Sequence, residues 1–210
     1  MPPTLGLPSI CQRMLSLSAF LNPWNWIAAI YAMQTIGALI VVHLFGLSLA
    51  EVALPILFLI LGACTAVVLR WYDSSYHAGL WKWWIPVIIY ALVIFFLSNK
   101  SYPEARPLFS TKLFHPVEYM TLGIFLSGGW HNILKQKGTL DFMLLVQISG
   151  MVFALSDEFH QAFIAGRTSS LTDVLIDSVG VALGLGAFLL AGTVGRALER
   201  GHTVPPTLPR

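Results

Sequence analysis

The segment from residue 157 to residue 177 reads DEFHQAFIAGRTSSLTDVLID and carries Asp157, Glu158, His160, Gln161, Arg167, Asp173 and Asp177. Carboxylates, an imidazole and a guanidinium at such density are the groups that acid and base chemistry uses. If helix runs through the first part, Asp157, His160 and Gln161 stand at i, i+3 and i+4 and share one face. Asp173 and Asp177, four residues apart, share another. Close carboxylates in a low-dielectric setting need a compensating charge, which Arg167 or His160 can supply. A second group precedes this one in KLFHPVEYMTLG, where Lys112 is followed by His115, Glu118 and Tyr119, again at i, i+3 and i+4 from the histidine. Pro116 suits the first turn of a helix there. Asp157, His160 and Asp173 are the candidates for catalysis, with His160 as base. Lys112, His115, Glu118, Tyr119, Glu158, Gln161, Arg167 and Asp177 are the candidates for binding substrate.

Each group also has a purely structural reading. His115 can donate to a backbone carbonyl at a helix start, and Arg167 with Asp173 can be a salt bridge that holds down a loop. Gly180 and Gly184 form a GxxxG pair, the pattern of close helix packing. Asp157, Glu158 and His160 together resist such a reading, because desolvating several titratable groups costs several kcal/mol unless each is paired. His115, His160 and nearby carboxylates could ligate Zn or Mn. With no HxH or HExxH arrangement in the chain, no metal and no cofactor is expected.

The elements that must position these groups are membrane helices. Of 210 residues 56% are hydrophobic and 10% charged, and the mean hydropathy is +0.74. A soluble domain needs more polar surface than that. Apolar runs predict an all-α bundle of about six spans, at about 25–46, 50–69, 82–97, 115–131, 140–157 and 171–193. The seven tryptophans fall near span ends, where an indole suits the headgroup region. Pro55 and Pro86 lie within or near the starts of spans and are read as kinks. The net charge of +2 without a cationic run excludes nucleic acid as a partner, and Cys11 and Cys64 are too few for a disulfide framework. Residues 1–22 lack the basic start of a signal peptide and read as an interfacial segment.

Six spans put both termini on one side with Arg13, Arg70, Lys82, Lys135, Lys137, Arg196, Arg200 and Arg210. Lys100, Arg106, Lys112 and Arg167 fall on the other. Eight cations against four predict cytoplasmic termini in a plasma membrane protein, with the polar cluster facing outward. Three regions are expected: residues 1–80 with two spans, residues 81–195 with four, and residues 196–210 as a disordered tail.

From about residue 85 to 190, the chain resembles the VanZ-like membrane proteins. The resemblance rests on Ser98-Asn99 after a span, on KLFHPVEYMTLG at 112–123 and on DEFHQAFIAGRTSSLTDVLIDSVGVALG at 157–184. Relatives often carry Asn where Asp177 stands here. The resemblance implies a bacterial or archaeal envelope protein linked to resistance to the glycopeptide teicoplanin. Three function classes follow. An enzyme would act on an envelope lipid or lipid-linked glycan, with Arg167 gripping an anionic headgroup. A non-catalytic binder would recognise a lipid, a glycopeptide or a partner protein. A small transporter is a third class, though no inverted repeat or mid-span charge is evident. Arg167, Asp173 and Asp177 repeat the spacing of a motif in phosphatidic-acid-type phosphatases, with Asp replacing the nucleophilic His, so a phosphohistidine route is closed there. Membrane lipids are partners in every case, and the sequence is silent on oligomeric state.

Overall fold

A computed structural model describes residues 22–75, 79–101, 114–134 and 138–202. Six α-helices account for nearly all of them: α1 Pro23–Phe45, α2 Leu49–Ser75, α3 Trp84–Ser98, α4 His115–Ile133, α5 Thr139–Gln161 and α6 Leu171–His202. The fold is an all-α helical bundle, as the apolar runs predict. The interfacial segment expected at residues 1–22 falls almost wholly outside the described residues, as does Lys112.

Local chemistry sets the helix limits. The Asn22 side chain accepts a hydrogen bond from the Trp24 backbone at 2.9 Å, with Pro23 at the first helical position, so α1 starts with one orphan donor capped and another absent. It ends at Gly46, whose φ of 71° is a left-handed stop that favours glycine. Pro55 lies inside α2 and cannot donate to the Glu51 carbonyl one turn back. Lys100 Nζ donates to that carbonyl instead at 3.2 Å. Pro86 differs from the expected kink, because it sits in the first turn of α3, just after a short 3-10 turn over Leu80–Trp83. There its missing N–H has little to break. Helix α6 runs on to His202, so residues 196–202 are helical rather than part of a disordered tail. No proline follows Asp173 until Pro205, and Ala197, Leu198 and Arg200 favour helix.

Among the described residues, five helical segments are long and apolar enough to cross a membrane: Pro23–Phe45, Leu49–Tyr72, Leu80–Ser98, Thr139–Gln161 and Leu171–Ala197. At 1.5 Å per residue, a 23-residue helix is about 34 Å long, enough for a hydrocarbon core of about 30 Å. Their outer faces carry exposed Met33, Ile36, Leu57, Ile88, Leu140, Val152 and Leu190, as suits a lipid solvent. Helix α4 is more polar because its neighbours enclose it: Tyr119, Leu122, Phe125 and Ser127 are all buried.

A chain of hydrogen bonds links α1, α3 and α4. Tyr31 OH donates to the Pro86 carbonyl at 2.6 Å. Tyr90 OH donates to Gln34 Oε1 at 2.6 Å, and Gln34 Nε2 donates to Thr121 Oγ1. This network ties α1 and α3 to α4, and satisfied buried networks fix a unique packing.

All seven tryptophans gather toward one end of the bundle, on the starts of α1 and α3, the ends of α2 and α4, and the 3-10 turn. Only Trp26, Trp71 and Trp81 are well exposed. Trp24 stacks on Trp83 at 4.6 Å, and Trp84 meets Trp130 edge-on at 5.2 Å. Half of the expected headgroup belt is therefore interior packing. The opposite end of the bundle holds the polar residues.

Candidate functional site

Two glycines set the site's geometry. Helices α4 and α6 run parallel, with Gly180 against Pro116 and Tyr119, and Gly184 against Met120 and Ile124. A Cβ at Gly180 would lie 2.8 Å from the Pro116 carbonyl oxygen, and one at Gly184 would strike the Met120 carbonyl. The pair is a close-packing motif, as its spacing suggests. One turn before Gly180, Asp177 comes beside the start of α4. There His115 Nδ1 faces Asp177 Oδ1 at 3.4 Å.

Asp177 is wholly buried, Glu158 is 3% exposed and His115 6%. Neither Asp177 oxygen has a hydrogen-bond partner, and the same holds for Glu158 Oε1 and His115 Nδ1. The other Glu158 oxygen, Oε2, accepts from the Ser170 backbone N–H at 2.8 Å. That bond fixes the carboxylate of α5 to the segment leading into α6. One ligand atom each from His115, Glu158 and Asp177 falls within 4.8 Å of the other two.

Asp157 is held differently. Its Oδ2 accepts from Ser98 Oγ at 2.9 Å, Gln161 Nε2 at 2.9 Å and Tyr119 OH at 3.4 Å. Three donors on one oxygen, from α3, α4 and its own helix, make this carboxylate a buried junction. The i, i+4 spacing of Asp157 and Gln161 works as the sequence suggests. His160, on the same stripe, lies toward the rim. It meets Asn99 Oδ1 at 3.2 Å and stacks on Phe95 at 4.8 Å. The imidazole that faces a buried carboxylate is thus His115.

Arg167 reaches the end of α3. Its Nε donates to the Lys100 carbonyl and its Nη2 to the Leu97 carbonyl, both at 3.0 Å. Cations suit a helix C-terminus, where carbonyls lack partners. The turn that aims this side chain passes through Gly166 at φ 80°, a conformation few other residues adopt. Asp173 is buried in the first turn of α6.

A cavity of about 350 Å³ adjoins these groups. Its walls are mostly apolar and come from α1, α2 and α3, including Val41, Pro55, Leu59 and Val93. Polar atoms enter at one end, from Ser98, His115, Glu118 and Arg167. An apolar chamber with a few convergent polar groups is the common form of a small-molecule site. The sequence gives no sign of this chamber. Gly37 is its one faint signal, since a Cβ there would meet nothing within 4 Å.

The structure therefore brings together His115, Glu118, Tyr119, Asp157, Glu158, Gln161, Arg167, Asp173 and Asp177 at one end of the bundle, with His160 at its edge. Ser98 joins them as a donor to Asp157. The sequence profile of the VanZ/LLP1 family matches residues 83–192, a stretch that contains every one of these residues and more than half of the chain. No curated protein and no solved structure matches this chain.

Proposed function

The chain belongs to the VanZ/LLP1 family, and we propose that it is a multi-pass envelope protein whose outward-facing pocket takes up a lipid-linked glycan or similar component. The observation that carries this reading is the cavity of about 350 Å³, apolar over nearly all of its surface along α1 to α3, with His115, Glu118 and Arg167 among the residues that bound it. An amphiphile fits that division. Its tail replaces lipid contacts in the chamber, and its hydroxyl groups donate to Glu118 while Arg167 faces an anionic linker. The excess of Lys and Arg on the other side supports an outward orientation.

His115 beside Asp177 supports chemistry as well as binding, because an imidazole next to a carboxylate can serve as a general base. A non-catalytic binder is the second reading. It is favoured by Asp157, whose acceptor oxygen is taken up by three donors, and by Arg167, which already spends two donors on backbone carbonyls.

Comparative lipid analysis of cells with and without the protein tests the proposal. One lipid-linked envelope species should accumulate without it, and susceptibility to teicoplanin should shift in parallel. Accumulation that His115→Ala fails to relieve, although the purified variant still retains the species, marks an enzyme, and relief by that variant marks a binder. Unchanged lipids in the cells lacking the protein would sink both.

A further inference from the structure

The geometry points to a divalent metal site formed by His115, Glu158 and Asp177, one ligand from each of α4, α5 and α6, suited to Zn²⁺ or Mn²⁺. The inference stands apart from the lipid reading, since it concerns atoms that need a partner whatever occupies the cavity. Asp177 is 0% and Glu158 3% exposed, and each keeps at least one carboxylate oxygen without a hydrogen bond. Leaving buried carboxylate oxygens unpaired is costly, and a bound cation removes that cost.

Ion pairing with His115 reaches only Asp177 Oδ1 and leaves Asp177 Oδ2 and Glu158 Oε1 without a partner. Nδ1 and Oδ1 stand 3.4 Å apart, yet Nδ1 and both Asp177 oxygens lack an aligned hydrogen bond. That spacing suits two atoms that face a common third point. Ligands of a tetrahedral zinc with bonds of 2.0–2.1 Å are about 3.3 Å apart. The three ligand atoms all lie within 4.8 Å of one another, close enough for small side-chain adjustments to bring them round one cation.

The donors select the cation. One imidazole with two carboxylates is harder than a thiolate set and softer than an all-oxygen cage, which favours Zn²⁺ or Mn²⁺ over Ca²⁺ or Cu⁺. Glu158 also has the outer partner that metal ligands usually show, because the Ser170 N–H holds its Oε2. Asp157 lies outside the converging group, and its Oδ2 is already held by three donors. Three protein ligands leave a coordination position open, the arrangement of a catalytic rather than a structural metal.

The test uses the full chain purified in detergent and measures metal content by mass spectrometry, then binding of Zn²⁺ by calorimetry and of Mn²⁺ by electron paramagnetic resonance after chelation. About one equivalent per chain is expected. Glu158→Gln and Asp177→Asn should each weaken binding about tenfold or more, while Asp157→Asn should not. If either variant fails to fold, the wild-type Tm decides, since a cation held only by the folded state must raise it. No metal in the purified protein together with an unchanged Tm on adding either cation would overturn the site. Undiminished binding by both folded variants would overturn it too.

Discussion

Replacing Gly180 by alanine tests how packing makes the site. The new Cβ would lie 2.8 Å from the Pro116 carbonyl oxygen, 3.0 Å from Tyr119 Cβ and 3.2 Å from the Met120 nitrogen, whereas ordinary contact begins at 3.4 Å. Two of these atoms are backbone and cannot rotate away, so α6 must retreat from α4 by about 0.6 Å. Overpacking of this kind costs about 1–3 kcal/mol, and alanine's better helix propensity offsets up to about 1 kcal/mol of it. A net loss of about 1–2 kcal/mol lowers the ratio of folded to unfolded protein roughly 5- to 30-fold. Gly186→Ala is the control, because nothing lies within 4 Å of a Cβ there. It should leave stability unchanged or raise it by up to about 1 kcal/mol. Thermal unfolding in one detergent compares the two. Equal stability of both variants would refute the claim that Gly180 sets the α4 to α6 distance and, through it, the meeting of His115 with Asp177.

Two further outcomes follow from the same geometry. Asp157→Ala leaves the donors of Ser98, Tyr119 and Gln161 without their acceptor. It should cost about 3 kcal/mol or more, and Asp157→Asn, which keeps an acceptor oxygen, clearly less; denaturation monitored by circular dichroism checks the order. In a background with Cys11 and Cys64 replaced by serine, an impermeant thiol reagent should label Ser169→Cys in intact cells and leave Thr139→Cys unlabelled. The reverse pattern would turn the site toward the cytoplasm.

Five of the six helices were legible because lipid imposes a simple rule, a run of about 20 apolar residues, on every span; α4, expected as a sixth span, is not among the helices apolar enough to cross. Their polar stripes were legible for a related reason: in a chain this apolar, His115, Glu118 and Asp157 stand out, and i, i+4 spacing pairs Asp157 with Gln161. Long-range choices were not. The partner of Asp177 is His115, 62 positions away, and only the glycine contacts of α4 with α6 select it over His160. The same spacing argument that placed His160 on the Asp157 stripe could not tell the buried edge of that stripe from its rim. The cavity was invisible, since it belongs to no segment and exists only where four helices diverge. Tryptophan position was read correctly as a span-end signal, yet Trp24 and Trp83 stack on each other rather than meet lipid.

The most direct measurement of the pocket is what it carries. Wild-type protein is extracted from its native membrane in mild detergent, and the bound lipids are identified by mass spectrometry. One amphiphile should be enriched over its share of the bulk membrane, at about one per chain for a single pocket. It should be lost from Gly37→Leu, whose side chain projects into the cavity, and retained by Gly186→Ala. A lipid profile identical to the bulk membrane, or unchanged by Gly37→Leu, would contradict the account.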